Sequence, residues 1–281
     1  MKTTLLIDGD ILAYQAAASV EEKSDWGDGV KSVTVGNPKL AESNLKDTIE
    51  RLHETLGVEE GIVCLSCPTV ECFRMDVLPT YKGNRTDVAK PQLLPHIRDY
   101  IRENYKTKEV ARLEADDVMG ILSTHPALIP GKKIIVSSDK DMKTIPGWLY
   151  SPYKKTFPSL LTKEVADFWH MRQTLTGDDV DGYSGCPGVG DDTADRFLAG
   201  RDKVSPYDHT FTRGPRKGTT EVRWSVEPSA SDWETVVSLY NKAGLTEEDA
   251  LVQARVARIL RHTDYDFKNK TVKLWEPPKI S

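Results

Sequence analysis

Cysteine is scarce in this 281-residue chain, and long hydrophobic runs are absent from it. No stretch approaches the ~18 apolar residues that a membrane helix requires. The N-terminal sequence MKTTLLIDGD turns acidic directly after three apolar residues, so it lacks the core of a signal peptide. A hydrophobic fraction of 38% and a charged fraction of 29% are typical of a globular protein. We therefore expect a cytoplasmic protein without membrane contact, with one large domain or a core domain and a smaller appendage.

The few cysteines suggest no disulfide framework in a chain of this size and compartment. Cys64 and Cys67 form a CxxC pair, which alone could indicate zinc binding or redox chemistry. No second CxxC and no spaced pair of histidines completes a zinc site, and the pair belongs to a predicted strand rather than a helix N-terminus. The zinc or redox interpretation is therefore the weaker one.

The net charge of −5 at pH 7 argues weakly against a simple nucleic-acid-binding protein. The distribution of charge matters more than its sum. Residues 74–112 carry nine Lys or Arg against five Asp or Glu, so this segment has four excess positive charges. The acids elsewhere are clustered, and bound metal ions would neutralise part of that cluster.

Apolar runs and helical patterns alternate along the first 160 residues. Buried strands are predicted at residues 4–7, 61–66 and 132–138. Between them, helices are predicted at 39–56, at 92–105 and from Glu114 onward. Strands that alternate with helices predict an α/β fold with a mostly parallel central sheet flanked by helices.

The pattern changes after residue 160, where helices dominate. They are predicted at residues 162–175, 191–199, 230–243 and 246–261. Residues 205–228, rich in Pro, Gly, Thr and Arg, predict a loop or a projecting hairpin, and 265–276 a late strand or edge segment. We therefore expect an α/β core at 1–160 and a helical part at 161–281.

Carboxylates follow the predicted strands at their carboxyl ends, the edge where an open α/β sheet binds its ligands. Others stand at a helix start, where the helix dipole favours anions, and in the sequence GDDVDG. The eight acids are Asp8, Glu114, Asp116, Asp117, Asp139, Asp141, Asp178 and Asp181. Any one of these acidic motifs alone is more often a solvated surface or a helix cap. Their joint placement after apolar strands favours one site.

Eight anions in one pocket would repel one another unless cations were bound. A ligand set of carboxylates without histidine indicates hard ions, magnesium or manganese rather than zinc. The number suits two ions, which in phosphoryl chemistry lie roughly 4 Å apart. In such a site one ion activates a water molecule and the other stabilises the leaving 3′ oxygen.

Five motifs, in this order and spacing, resemble those of the 5′-nuclease, or flap-endonuclease, superfamily. They are LIDGD (6–10), YKGNR (81–85), EADDV (114–118), SSDKD (137–141) and GDDVDG with the following GCPGVGDDTA (177–194). Residues 233–261 are similar to the exonuclease of T-seven-like bacteriophages, so the resemblance covers nearly the whole chain. It implies a PIN-like core with a helical arch at about 68–112, and a C-terminal DNA-binding part with a helix-hairpin-helix at about 177–199.

The resemblance also implies roles for individual residues. Asp8 and Glu114 would hold the first ion, and Asp116 would lie between the two ions. The second ion would be held by Asp139, Asp141 and Asp181, whereas Asp117 and Asp178 would act through bound water. The implied cofactors are two Mg²⁺, which Mn²⁺ can replace. Lys82 and Arg85 match the basic pair of the arch, which contacts DNA and stabilises charge developing on the scissile phosphate.

The segment GCPGVG resembles the family's helix-hairpin-helix. Gly185, Gly188 and Gly190 would let backbone N–H groups approach a DNA phosphate, with K⁺ assisting. Here Asp191 and Asp192 follow, where the family often has a lysine or a neutral residue, which weakens the expected phosphate contact.

A further departure lies at Cys67, which occupies the position of a family aspartate that helps to ligate the first ion. A thiol is a poor partner for magnesium. Three explanations stay open: the change weakens or abolishes cutting, a shifted alignment lets water replace the ligand, or the remaining acids suffice. We expect weakened magnesium affinity and reduced turnover.

The resulting hypothesis is a metal-dependent 5′→3′ exonuclease and flap-type nuclease that acts in phage DNA replication, RNA-primer removal and host DNA degradation. Its expected partners are duplex DNA with a 5′ end or flap, RNA/DNA hybrids and phage replication proteins, in the host cytoplasm. One alternative, motivated by Cys67, is a nuclease-impaired, structure-specific DNA-binding protein. Another is a metal-dependent phosphohydrolase acting on small substrates.

Overall fold

The computed structural model describes residues 2–25, 31–85, 89–154 and 157–278. Two compact units make up the chain, and their boundaries differ from a single division at residue 160. The first unit comprises Met1–Phe73, Thr86–Lys163 and Ile259–Lys273, and the second Arg74–Arg85, Glu164–Arg258 and Leu274–Ser281. The middle of the predicted arch, residues 86–88, lies outside the described residues.

Strands and helices are numbered in chain order. The strands are β1 (Thr3–Asp8), β2 (Glu21–Asp25), β3 (Lys31–Val35), β4 (Glu60–Leu65), β5 (Thr107–Glu109), β6 (Lys132–Val136), β7 (Gly147–Tyr150), β8 (Ser159–Leu161), β9 (Asp202–Thr210), β10 (Thr220–Pro228), β11 (Tyr265–Asp266) and β12 (Thr271–Val272). The helices are α1 (Gly9–Ala18), α2 (Pro38–Leu56), α3 (Arg74–Val77), α4 (Leu94–Asn104), α5 (Ala115–Thr124), α6 (Lys163–Thr176), α7 (Asp191–Gly200), α8 (Asp232–Lys242) and α9 (Glu247–Ala257).

The first unit is built on a six-stranded sheet with the order β5-β4-β1-β6-β7-β8. All neighbouring strands are parallel except β8, which runs antiparallel to β7 at the edge. The prediction of a mostly parallel sheet is therefore confirmed. Strand β1 lies at the centre, between β4 and β6.

Alternation along β1 divides the apolar residues between the two faces of the sheet. Leu5 and Ile7 belong to a core cluster that also contains Ala13 of α1, Leu45 of α2 and Ile97 of α4. Helix α5 packs against β1 and β4. Each of these helices, α1, α2, α4 and α5, can bury an apolar side against the sheet. This packing fixes the positions of the strand ends.

Residues 259–273 return the chain to the first unit. The backbone N–H of Leu260 donates to Asp117 Oδ1 at 3.1 Å, and Arg261 Nη2 donates to the carbonyl of Thr144 at 2.9 Å. A Cβ on Gly120 would lie 2.3 Å from the Leu260 carbonyl oxygen, so this segment passes too close to α5 for any side chain there.

The second unit contains α3, most of α6, and helices α7 to α9. Its core cluster includes Leu175, Phe197, Leu239, Tyr240 and Ala254. The four helices predicted after residue 160 are confirmed, and β9 and β10 confirm the hairpin interpretation of 205–228. In the described part of the chain, no helix is both long and apolar enough to cross a membrane.

Candidate active site

Asp8 stands at the carboxyl end of the central strand and caps α1. Its Oδ1 accepts a hydrogen bond from the Ile11 N–H at 3.2 Å, and its Oδ2 accepts one from Ser137 Oγ at 2.7 Å. Only 5% of Asp8 is exposed, and this burial raises the pKa of its carboxyl to about 7. The charges of Asp10 and Asp139 raise the pKa further. At neutral pH the carboxyl therefore needs a nearby cation to be fully ionised.

Asp10 was not among the predicted site residues, although it is part of LIDGD. Its Oδ2 accepts from the Ser66 N–H at 2.9 Å, and Arg98 Nη1 donates to its Oδ1. Arg98 also donates to the Ser66 carbonyl at 2.6 Å. Asp10 and Arg98 thus join the ends of β1 and β4 to α4. A DxD pattern followed by a distant arginine gave no signal of this pairing.

Asp139 and Asp141 follow β6, as predicted. Ser137 Oγ, which donates to Asp8, accepts from the Asp139 N–H at 3.1 Å. Asp139 Oδ1 accepts from the Asp141 N–H at 2.8 Å. Ser137 is a further residue that sequence reasoning missed, and it links the ends of the two central strands.

Glu114 and Asp117 begin α5. The Glu114 N–H donates to Asp117 Oδ2 at 3.2 Å, while Asp117 Oδ1 accepts from Leu260. Asp117 is completely buried, and Glu114 is 7% exposed. Both oxygens of Asp117 therefore bind backbone amides, which gives it a structural role in holding the helix start.

Three of the acids, Asp8, Asp10 and Asp116, lie close enough to Cys64 to affect its thiol. Cys64 on β4 is buried, which raises the pKa of its thiol, and the charges of Asp8, Asp10 and Asp116 raise it further. Among the described residues, no three His, Cys, Asp or Glu side chains form a group that could hold a metal ion. A buried carboxylate flanked by further acids nevertheless suits a hard divalent cation, and the ligand set stays a prediction.

Cys67 lies just past β4, beside α5. Its N–H donates to the Leu113 carbonyl at 2.9 Å, and it is 7% exposed. Burial raises the pKa of its thiol to about 12, and the charges of Cys72 and Glu114 contribute. The thiol is therefore protonated in the metal-free protein at neutral pH and would have to lose its proton to bind a metal. All four cysteines are buried, and none of them forms a disulfide.

Asp178 and Asp181 lie in the second unit, after α6. Asp178 Oδ1 accepts from the N–H groups of Val180 at 2.8 Å and Asp181 at 3.2 Å. Asp181 accepts from the Tyr81 hydroxyl at 2.9 Å. Their predicted partnership with the acids of the first unit remains a prediction.

The predicted basic pair binds Asp181. Arg85 Nη2 lies 2.5 Å from Asp181 Oδ1, and Lys82 Nζ lies 3.7 Å from Asp181 Oδ2. The backbones of Lys82 and Asp181 are also hydrogen-bonded, since the Lys82 N–H donates to the Asp181 carbonyl at 2.8 Å. Lys82 also stands over the ring of Tyr81, 5.0 Å from its centroid. These residues, Tyr81, Lys82, Arg85 and Asp181, are called the Asp181 cluster below.

The glycine segment joins α6 to α7, and one of its predicted roles needs correction. Gly185 is buried, and its N–H donates to Gln253 Oε1 at 2.9 Å, so it does not present that N–H to a phosphate. Gly188 has a φ of +77° and Gly190 caps α7, and a Cβ at either would meet open space. Arg172 Nη2 pairs with Asp191 at 3.0 Å, which offsets one of the two acids in the first turn of α7.

Comparison with known proteins agrees with this architecture. Residues 3–148 match the family model described as the N-terminal resolvase-like domain of 5′–3′ exonuclease. The chain is 35% identical to an exodeoxyribonuclease of Enterobacteria phage T3, over 98% of this chain and 93% of that protein.

It is likewise 35% identical to an exonuclease of Escherichia phage T7, over 98% and 94% of the two chains. The fold resembles that of T5 5′-exonuclease solved with divalent zinc ions, with a TM-score of 0.53 and 15% identity over 91% of this chain and 93% of that one. A buried aspartate at the end of the central strand, further acids around it and these two full-length relatives lead to one conclusion: the chain belongs to the 5′–3′ exonuclease family of nucleases.

Proposed function

We propose that this protein hydrolyses phosphodiester bonds of duplex DNA from a 5′ end, in the 5′→3′ direction, and also cuts 5′ flaps. One observation carries the proposal: Asp8 is buried at the end of β1, and the acids around it disfavour its ionised form. Such a carboxylate serves little purpose without a cation beside it, and a divalent metal supplies one.

Asp8, Glu114, Asp116, Asp139 and Asp141 of the first unit would hold Mg²⁺, or Mn²⁺ in its place, together with Asp178 and Asp181 of the second unit. Bound ions would lower the pKa of an attacking water and neutralise the scissile phosphate. Ser137 orients both Asp8 and the Asp139 backbone, so it is a positioning residue. Asp117 holds the start of α5, which bears Asp116.

Lys82 and Arg85 would contact the DNA phosphates near the cleaved bond. A guanidinium can hold a phosphate through two hydrogen bonds, and an ammonium acts as a point charge. Both cations are paired with Asp181, and a phosphate would compete with that carboxylate for them. The N–H groups near Gly188 and Gly190 would hold duplex DNA in a helix-hairpin-helix at about 177–199, with K⁺ as an assisting ion.

The proposal extends to the setting of the reaction. The T3 and T7 relatives, which match nearly the whole chain at 35% identity, are phage proteins. We accordingly place the activity in the host cytoplasm, in phage DNA replication, removal of RNA primers from RNA/DNA hybrids and breakdown of host DNA, alongside phage replication proteins.

A second candidate function rests on Cys67. Its protonated, buried thiol stands where the family has a ligand aspartate, so the protein could bind branched DNA tightly and cut it poorly. A phosphohydrolase acting on small phosphoesters is the remaining alternative, which would not require Lys82 or Arg85.

Degradation of a 5′-labelled duplex, with magnesium, with manganese and with a chelator, separates these functions. We expect short labelled products with either metal and none with the chelator. Tight binding without products in both metals would support the DNA-binding alternative. Release of phosphate from small phosphoesters that persists in a Lys82→Ala, Arg85→Ala variant would support the third.

A further inference from the structure

The long hairpin of β9 and β10 has no role in the site described above. Its two nine-residue strands pair from Asp202 with Pro228 to Thr210 with Thr220. At about 3.3 Å per residue, each arm measures roughly 30 Å. A ribbon of this length exceeds what a simple connection between α7 and α8 requires.

Only the base of the hairpin is anchored within the second unit. Val204 is 4% exposed, and its N–H donates to Ser238 Oγ at 3.1 Å. Lys203 Nζ pairs with Glu234 at 2.7 Å. From Ser205 through Glu227, every residue is partly or fully exposed. Trp224 packs against the core cluster of the second unit, and the hairpin beyond it is open to a partner.

Aromatic and basic side chains share one face of the ribbon. Tyr207, His209 and Phe211 alternate along this face, and Arg223 lies opposite Tyr207. The Phe211 ring has the Arg216 guanidinium 3.8 Å and the Arg223 guanidinium 5.2 Å from its centroid. An isolated two-stranded ribbon is marginally stable, so these contacts help to hold the strands and the cations in place.

The tip carries only positive charge. Residues 211–219 contain Arg213, Arg216 and Lys217 and no acid, although the whole chain has a net charge of −5. Gly214 and Gly218, with φ of +76° and +84°, close the turn. Arg216 pairs with Glu221 at 3.0 Å. Among the described residues, Arg213 and Lys217 have no ion-pair partner, so their charges face solvent or a ligand.

We propose that this hairpin is a second DNA-binding element, whose tip contacts the phosphates of duplex DNA through Arg213, Arg216 and Lys217. A two-stranded antiparallel ribbon has the width that the major groove of B-DNA admits. Three cations at the tip, of which only Arg216 is paired with an acid among the described residues, complement the phosphates on either side of a groove. The inference rests on the proposed function only in taking DNA as the substrate.

Salt-dependent binding of the full chain to a blunt duplex tests the proposal, measured by fluorescence anisotropy with a chelator present so that nothing is cut. Each lost phosphate contact lowers the slope of log K against log salt by about 0.9. The variant R213A/R216A/K217A should therefore lose about two to three units of slope and bind at least about tenfold more weakly at physiological salt.

The matched control removes three exposed lysines elsewhere, with Lys46, Lys242 and Lys268 each changed to Ala, and should lose less than about one unit of slope. A second variant, Arg213→Lys with Arg216→Lys, keeps the charge and should keep the slope. Circular dichroism verifies that each variant is folded.

Wild-type affinity and slope in the alanine variant would overturn the proposal, and this is also the result expected if the hairpin serves an acidic protein partner. Equal losses in the lysine and alanine variants would overturn it too, because they would mean that the ribbon itself had been disturbed. Because binding is read with chelator present, this outcome is independent of whether the wild-type protein cuts DNA in magnesium or manganese.

Discussion

The two units place their predicted metal-binding acids in opposite electrostatic settings. In the first unit, the hydrogen bonds that Asp8 accepts from described residues come from the neutral groups of Ile11 and Ser137, and its charged neighbours are acids. In the second unit, Asp181 has Arg85 and Lys82 against its carboxylate. The first acid therefore depends on an added cation, whereas the second carries its counterions within the fold.

The largest effect should come from removing the acid that depends on an added cation. Outer-sphere changes around metal sites commonly cost ~10–100-fold, so Asp8→Asn, which removes a ligand, should lower the cleavage rate by more than ~100-fold. Single-turnover cleavage of a labelled duplex measures this. Asp179→Asn, an exposed acid of the second unit, is the matched control. A D8N variant that cuts at the wild-type rate would contradict the assignment.

The next largest effect should come from adding an acid to the predicted metal site of the first unit. Cys67→Asp restores the family's ligand type, and we expect apparent magnesium affinity and turnover to rise by about tenfold. The new carboxyl is buried, so the chelated variant should also be less stable than wild type. Titration of cleavage rate against magnesium gives the affinity. Cys67→Ser controls for loss of the thiol, and equal rates in the two variants would refute the expectation.

A smaller effect should follow from removing the acid that has internal counterions. Asp181→Asn releases Lys82 and Arg85, so DNA binding in chelator should tighten by about three- to tenfold, because partly exposed ion pairs are each worth a modest energy. Magnesium-dependent cutting should fall in the same variant. Anisotropy and cleavage assays report the two quantities. If Asp179→Asn tightens binding equally, general charge and not the Asp181 cluster is responsible.

The smallest effect concerns the stability of the metal-free protein. The pKa of Asp8 is raised in the fold, so the folded state keeps a proton that the unfolded state has already released, and stability should fall as pH rises from about 4 to about 7. The D8N variant has no carboxyl at this position and therefore lacks this contribution to the pH dependence of stability. Between these pH values, the chelated wild type should lose several degrees more in Tm than the variant, at about 2–4 °C for each kcal/mol of lost stability. If Tm changes with pH equally in wild type and variant, Asp8 ionises normally and the expectation is wrong.

Much of the fold followed from periodicity because its main elements are long or strongly patterned. β1, β4 and β6 are short apolar runs, and α2 is an amphipathic helix closed by Gly57. Helix α1 was missed because its residues GDILAYQAAA are almost uniformly apolar or small, so they show no polar face. The outer strands β5, β7 and β8, of which β5 and β8 form the edges, have three or four residues each, too few to reveal an alternation.

The sequence indicated where the acids stand in the fold, but not which residues bind them. Residue type and strand position indicated Asp8 and Asp139, but a serine such as Ser137 carries no signal until the strand ends are adjacent. The same holds for Arg98, which reaches Asp10 from a distant helix. Gly185 was assigned a phosphate role because glycine composition does not tell a buried turn from an exposed one.

The return of residues 259–273 to the first unit has a consequence for dissecting this protein. The family model ends at residue 148, yet Leu260 of the late segment contacts Asp117 and Gly120 of α5, and Arg261 contacts the Thr144 carbonyl. A fragment truncated after the sheet would lose the hydrogen bond from the Leu260 N–H to Asp117 Oδ1 and would expose α5 beside Gly120. Expression of the nuclease core alone should therefore require that this late segment be grafted back or supplied as a peptide.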